Sequence, residues 1–399
     1  MSRPVLLPGL TALWRGPRTL QIGLGLQRQA IILDLPNPAA AGLLDLLDGA
    51  RTEPGVLAAA GRRGIGEKDA RALLDTLRRH GLVVGAHTLL PRGLAGPVRA
   101  RMAAEAAALA LRHRDPATPP AQILARRAAA RLRVCGRGRL GLPVAVALAL
   151  AGVGHVDPAL DGTVEPGELM AGEPPGDPPQ PRAAVAARAI ARHAPGTRVS
   201  PLARRDTTFV VHVGPTAGPA ALHALAYRRV AHLAVAVRDG AALVGPLVPP
   251  GGAPCLNCVD LHRTDRDPAW PMLAAQLATP DAHPVPRPAG EACDTATSLA
   301  ATAYAVDEVL RYLDGELPRT LGATVEFRGA GEARRRSWAP HPRCDCRRGR
   351  SSARPGRPAQ AAGPDRGVAG DDRPVRTGLA GSCDAVPASQ PTEYVRIES

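Results

Sequence analysis

Four of the seven cysteines fall in two close pairs: Cys255-Leu-Asn-Cys258 in the turn PPGGAPCLNC, and Cys344-Asp-Cys346 far downstream. Together a C-x-x-C and a C-x-C supply four thiolates to a tetrahedral zinc ion. A site closed by four thiolates leaves no coordination position for substrate, so its role is structural. The metal would tie the end of a domain back to its middle. His341 is an alternative ligand, because the C-x-C spacing is tight. The remaining cysteines, Cys135, Cys293 and Cys383, stand apart. Cys135 reads as a small buried hydrophobe. Cys293 heads an expected helix, whose dipole would lower its pKa and make a nucleophile available. Cys383 lies near the C-terminus.

The second chemical signal is Gly136-Arg-Gly138-Arg-Leu-Gly141, a G-x-G-x-x-G between an expected strand and an expected helix. Gly136 permits the tight turn, Gly138 lets backbone N–H groups approach a phosphate, and Gly141 lets the helix pack closely. The helix N-terminus adds partial positive charge. Asp157 and Asp161 lie about where an acidic ribose contact belongs.

These residues need a scaffold, and the flanking pattern supplies one. Strand Leu132–Cys135, helix Leu140–Ala151, strand Val153–Val156, helix Arg182–His193, a short strand Arg198–Ser200, strand Thr208–Val213, helix Pro219–Arg229 and strands His232–Val237 and Ala241–Val248 alternate. Such alternation predicts a Rossmann-like α/β domain over residues 131–346, with a mostly parallel sheet. Residues 1–90 predict a smaller α+β module of the winged-helix type. Its strands are Leu20–Leu26 and Ala30–Leu35. Helices follow Pro38, begin near Thr52 and span Glu67–His80, and strand Leu82–Val84 closes it. A basic helical connector fills 91–130, with Met102–Leu111 helical. Residues 347–399 have no periodicity and read as a disordered Arg/Pro/Gly-rich tail.

Composition narrows the classes. Of 50 basic residues, only Lys68 is a lysine; with 42 Gly and 42 Pro this is the mark of GC-rich codons. The net charge of +14 is therefore weak evidence for a nucleic-acid partner. Seven cysteines are too few for a disulfide scaffold. The longest apolar run, Leu140–Gly154, is short of the ~20 residues a membrane span needs. The N-terminus lacks the apolar core and cleavage site of an export signal. A cytoplasmic protein with reduced thiols is expected.

The order of these features resembles the ThiF/MoeB family, the bacterial relatives of ubiquitin-activating enzymes. It is closest to the ThiF-like partner proteins of azole- and azoline-forming (TOMM) ribosomal-peptide modification systems. The residues that carry the resemblance are VCGRGRLGLPVAVALALAGVGHV at 134–156 and LAVAVRDGAALVGPLVPPGGAPCLNCVDLHRTDRDPAWP at 233–271. AYAVDEVLRYLDGELP at 303–318 and HPRCDC at 341–346 complete it. The N-terminal stretch LLDLLDGARTEPGVLAAAGRRGIGEKDARALLDTLRRHGLVV resembles a PqqD-like element, which implies capture of a leader peptide by strand addition. With no dense basic recognition helix, DNA binding ranks lower. The resemblance implies zinc at the four cysteines and ATP on Gly136, Gly138 and Gly141. It also implies a ribose contact from Asp157 or Asp161, a phosphate contact from Arg182, and a homodimer.

Three departures bear on activity. Glu168 stands where adenylating relatives carry Asn, and Ala171 and Gly172 stand where they carry an Arg-Gln pair. The stretch VVHVGPTAG at 210–218 has no carboxylate where a metal-binding Asp is expected. Arg182 replaces a phosphate-contacting Lys with a wider, planar fork. Adenylyl transfer depends on positioned charges around phosphates and metal. The expectation is therefore a binding protein that presents a leader peptide to a YcaO-type enzyme. An ATP-dependent adenylyltransferase acting on a C-terminal carboxylate is the alternative. A nicotinamide-dependent oxidoreductase has only the glycine loop in its favour.

Overall fold

The structure is a computed structural model that describes residues 3–24, 31–112, 118–165, 168, 179–215, 230–252, 254–278 and 291–347, with the backbone of 375–376 and 393–396. It divides into two units, Met1–Ala125 with Gly381–Ser399, and Arg126–Ala380. Strands β1 (Pro4–Leu6), β2 (Ala12–Trp14), β3 (Thr19–Ile22) and β4 (Ile31–Asp34) open the first unit. Strands β2, β3 and β4 form an antiparallel meander. The helix expected after Pro38 is a 3₁₀ helix, Pro38–Leu46. Its buried residues Ala40, Leu43 and Leu46 repeat every third position, the period of the tighter helix. Helices α1 (Glu53–Arg62) and α2 (Glu67–Arg79) follow, then β5 (Val83–Gly85), which pairs antiparallel with β1. Leu20, Ile22 and Leu33 of the sheet pack against Leu43, Leu73 and Leu77 of the helices. Helices α3 (Ala86–Leu89), α4 (Gly96–Arg112) and α5 (Pro120–Ala129) come next.

The second unit is built on one large sheet. Its elements are β6 (Arg131–Gly136), α6 (Gly141–Leu150), β7 (His155–Leu160), α7 (Arg182–His193), β8 (Phe209–Val213), β9 (Ala231–Arg238) and β10 (Ala241–Val248). Helices α8 (Leu256–Arg266), α9 (Trp270–Ala278) and α10 (Thr295–Asp314) lead to β11 (Ala323–Gly329), β12 (Glu332–Ser337) and β13 (Val375–Arg376). The strand order is β13-β12-β11-β10-β9-β8-β6-β7. Strands β7, β6, β8 and β9 run parallel, and β9 to β13 continue the sheet as an antiparallel ribbon. This Rossmann-like core is buried through Val134, Val144, Phe209 and Val211, with Ala301 and Val309 of α10 packed into it. Almost every residue of α6 is buried, which explains its lack of a polar face. Arg198 makes only a single bridge to His155, and the expected helix Pro219–Arg229 lies outside the described residues.

Helix α10 is anchored at its end. Asp314 accepts two hydrogen bonds from the buried guanidinium of Arg127, at 2.8 and 2.6 Å, and Arg126 Nη1 donates to the Asp314 carbonyl at 2.7 Å. In the first unit, β14 (Glu393–Arg396) pairs parallel with β4, so the sheet reads β14-β4-β3-β2. No described helix is long and apolar enough to cross a membrane.

Candidate functional site

The four paired cysteines converge. Cys255 begins the turn into α8 and Cys258 lies in its first turn, while Cys344 and Cys346 arrive from beyond β12. Their Sγ atoms stand 3.9 Å apart for Cys255 and Cys258, 3.6 Å for Cys255 and Cys344, and 3.5 Å for Cys258 and Cys346. A tetrahedral ion bonded to sulfur at about 2.3 Å spaces its ligands about 3.8 Å apart, so the cluster has the edge lengths of a zinc tetrathiolate. Asn257 Nδ2 donates to Cys344 Sγ at 3.2 Å. His341 is engaged elsewhere: its Nε2 lies 2.7 Å from Asp265 Oδ2, and its Nδ1 accepts from the Arg343 N–H. The donor set of four sulfurs fits zinc without it.

The glycine loop joins β6 to α6 at the ends of the parallel strands. Gly136, at φ +106°, lies against β8; a side chain there would stand 2.2 Å from the Val213 carbonyl oxygen. A side chain on Gly141 would meet Leu160 Cδ2 at 2.5 Å, so the glycine lets the helix approach β7 without displacing that leucine. Gly138, at φ +152°, leaves a space, and that space is filled. A Cβ on Gly138 would stand 3.1 Å from Glu291 Oε1 and 3.2 Å from Oε2. The Arg139 N–H donates to Glu291 Oε2 at 2.9 Å, and Arg139 Nη1 donates to the carbonyls of Glu291 and Cys293. The cradle whose amides could receive a phosphate thus receives the chain's own carboxylate. Burial raises the Glu291 pKa above its ordinary value, against the lowering effect of the Arg139 amide.

Arg182, at the head of α7, is likewise committed. Its Nε donates to Glu168 Oε1 at 2.8 Å and its Nη2 donates to the same oxygen at 2.5 Å. Nη2 also reaches Glu165 at 3.1 Å, and Nη1 donates to the Asp161 carbonyl. Burial alone would push this guanidinium down, but Glu168 and Glu165 outweigh it and hold it above the usual range. The second oxygen of Glu168 is buried without a hydrogen-bond partner.

The remaining residues divide. Asp161 follows β7 directly, its N–H donating to the Gly136 carbonyl, so it stands beside the glycine loop. Asp157 is buried within β7, where it accepts from the Leu202 N–H at 2.9 Å and lies 3.0 Å from Arg133 Nε. Its carboxylate is thus held away from the role of a ribose contact. In the described part of 210–218, His212 is a half-buried imidazole whose pKa is lowered by desolvation and by His232. Burial pushes the Cys135 thiol up to about 11, consistent with an inert packing role. Cys293 precedes the capping residue, because Asp294 caps α10 and accepts from the Thr297 N–H. Cys383, Ala171 and Gly172 lie outside the described residues. Sequence reasoning did not single out Glu291 or Glu165. An acidic residue three positions ahead of the Asp294 cap was the only local signal for Glu291, and its contact with Arg139 spans 152 positions.

Solved structures share this architecture. E. coli MccB, crystallised with succinimide, matches at a TM-score of 0.55 and 14% identity, over 88% of this chain and 100% of the other. The fold is that of MccB. Microcin C7 biosynthetic enzyme MccB in complex with N-formylated MccA matches at 0.54 and 14%, over 86% and 99%. E. coli MccB with ATP matches at 0.53 and 14%, over 86% and 99%. At this identity the likeness is one of fold. No protein-family model matches the chain, and no curated protein sequence does.

Proposed function

We propose that this protein is a ThiF-like binding partner in a ribosomal-peptide modification system of the azole/azoline type. In this reading the N-terminal unit captures a leader peptide, the α/β unit docks a YcaO-type modifying enzyme, and a structural zinc holds Cys255, Cys258, Cys344 and Cys346. The observation that carries it is Glu291 in the glycine cradle. A carboxylate there meets the amide that a phosphate would need, and ATP must displace it. The capture of Arg182 by Glu168 supports the same reading, because it neutralises the cation expected on the phosphates. Peptide capture is supported by MccB, the fold relative that was crystallised with MccA. It is also supported by the edge of β4, which accepts an added strand in the form of β14. Strand addition of this kind supplies affinity through main-chain hydrogen bonds.

The test is a titration of the full chain with the leader segment of a precursor peptide encoded beside it, together with a pyrophosphate-exchange assay. Saturable leader binding tighter than about 1 mM and no exchange are expected. Exchange that Arg182→Ala abolishes would instead favour an adenylyltransferase. That second reading has its own support in the intact backbone of the glycine loop and in the ATP-bound relative of the same fold.

A further inference from the structure

We propose that His341 and Asp265 are a positioning pair for the cysteine metal centre. They clasp the turn that delivers Cys344 and Cys346 onto the helix that carries Cys258, and so slow the loss of the ion. The inference rests on the zinc reading of the four cysteines and is independent of peptide capture.

The clasp lies on one face of α8. Cys258, His262 and Asp265 follow one another at i, i+4 and i+7, the spacing of a single helical face, and Cys255 precedes them by one turn. The first turn of this face supplies sulfur. The turns beyond it engage the segment just ahead of the second cysteine pair. His262 Nε2 donates to the Ala339 carbonyl at 2.9 Å, and the His262 ring stands edge-on to the His341 ring with 4.8 Å between their centres. The Arg343 N–H donates to His341 Nδ1 at 3.1 Å, which leaves the ring proton on Nε2. That Nε2 donates to Asp265 Oδ2 at 2.7 Å. The other Asp265 oxygen pairs with Arg343. The Cys344 N–H donates to the His341 carbonyl at 3.1 Å and closes the turn.

Together these bonds fix the turn against α8 without using a thiolate. An ion whose ligands come from two distant segments is lost when one segment swings away. A clasp anchored outside the ligand set keeps the second pair of thiolates within reach for recapture. Groups that orient metal ligands from behind typically change metal affinity by about 10–100-fold. His262, Asp265 and His341 place their ligand atoms within 4.8 Å of one another, but they do not form a second metal site. The Arg343 N–H takes the lone pair of His341 Nδ1, and the Arg343 guanidinium already neutralises Asp265.

The test is zinc transfer from the full chain to a chromogenic chelator, pyridylazoresorcinol, followed by absorbance. Asp265→Ala should release zinc at least about tenfold faster than wild type. Asp265→Asn keeps an acceptor for the His341 Nε2–H and should recover most of that loss. Asp265 is exposed near the end of α8, so its variants test the pair even where a His341 variant fails to fold. Cobalt-substituted protein separates positioning from ligation: wild type and Asp265→Ala should share one tetrathiolate absorption spectrum. Release from Asp265→Ala at the wild-type rate overturns the pair and leaves the zinc site standing, whereas a metal-free wild type overturns both. A cobalt spectrum altered by Asp265→Ala, or a second zinc in wild type that this variant loses, would make Asp265 a ligand and overturn the positioning role.

Discussion

The cysteine cluster and the glycine loop are both assembled from distant segments of one unit, yet they treat a ligand in opposite ways. At the cysteines, chain segments 89 positions apart bring four sulfurs to metal-binding spacing, and His341 is drawn off by Asp265 and Arg343. The four sulfurs face one another, with Asn257 donating to Cys344. At the glycine loop, the backbone keeps the shape of a phosphate cradle, but Glu291 lies in it from 152 positions downstream. A preserved backbone is therefore a separate matter from a vacant site, and the second depends on side chains that motif matching does not see.

This contrast can be broken most forcefully at the metal. The Cys255→Ser/Cys258→Ser variant should fall from about one zinc per chain to none, as read by elemental analysis. Because metal binding free energy is also folding free energy, it should lose several kcal/mol of stability or fail to fold. A metal-free wild type of equal stability would remove the cysteine half of the comparison.

Next in size is Arg182→Ala. If Arg182 serves chiefly to neutralise Glu168, its removal leaves a buried carboxylate unpaired and should cost about 3–5 kcal/mol in chemical denaturation. A variant as stable as wild type would mean that the pair is not what holds this corner together.

Glu291→Gln sharpens the comparison through pH. Burial holds the folded-state pKa of Glu291 above the ordinary value of 4.5. Between that value and the raised one, the folded chain keeps a proton that the unfolded chain has released. The stabilisation is complete below the ordinary value and is lost as pH rises through the folded one. The wild-type minus Glu291→Gln stability difference, measured by denaturation across a pH series, should therefore fall as pH rises above about 4.5. A difference that is flat or rises would show that the carboxylate is not held in a buried cradle.

The smallest effect concerns the other unit. Truncation before Gly381 removes β14 from the edge of β4, and an intramolecular competitor lowers apparent affinity by its effective concentration. Leader-peptide affinity should rise by up to about tenfold. Unchanged or weaker binding would place the peptide elsewhere.

Much of the scaffold was legible because it is local. Strand Leu132–Cys135, the glycine loop, the helix behind it and helix Arg182–His193 are each declared by periodicity or glycine spacing within a short window. The cysteine pairs were legible because metal ligands have few alternatives. The partners of the site were not. Asp157 and Asp161 satisfy the same spacing rule, and only the fold turns one into the sheet and leaves the other beside the loop. Arg182 reads as a phosphate contact until Glu168 is seen on it. Glu291 reads as nothing, because its meaning comes from Gly138, whose missing side chain makes the space that it fills.

The most direct test of that last point is calorimetric titration of wild type and Glu291→Ala with magnesium-ATP at neutral pH. The account predicts no saturable binding by wild type below about 1 mM, and affinity at least about tenfold higher in Glu291→Ala. Micromolar binding by wild type that Glu291→Ala fails to strengthen would contradict it.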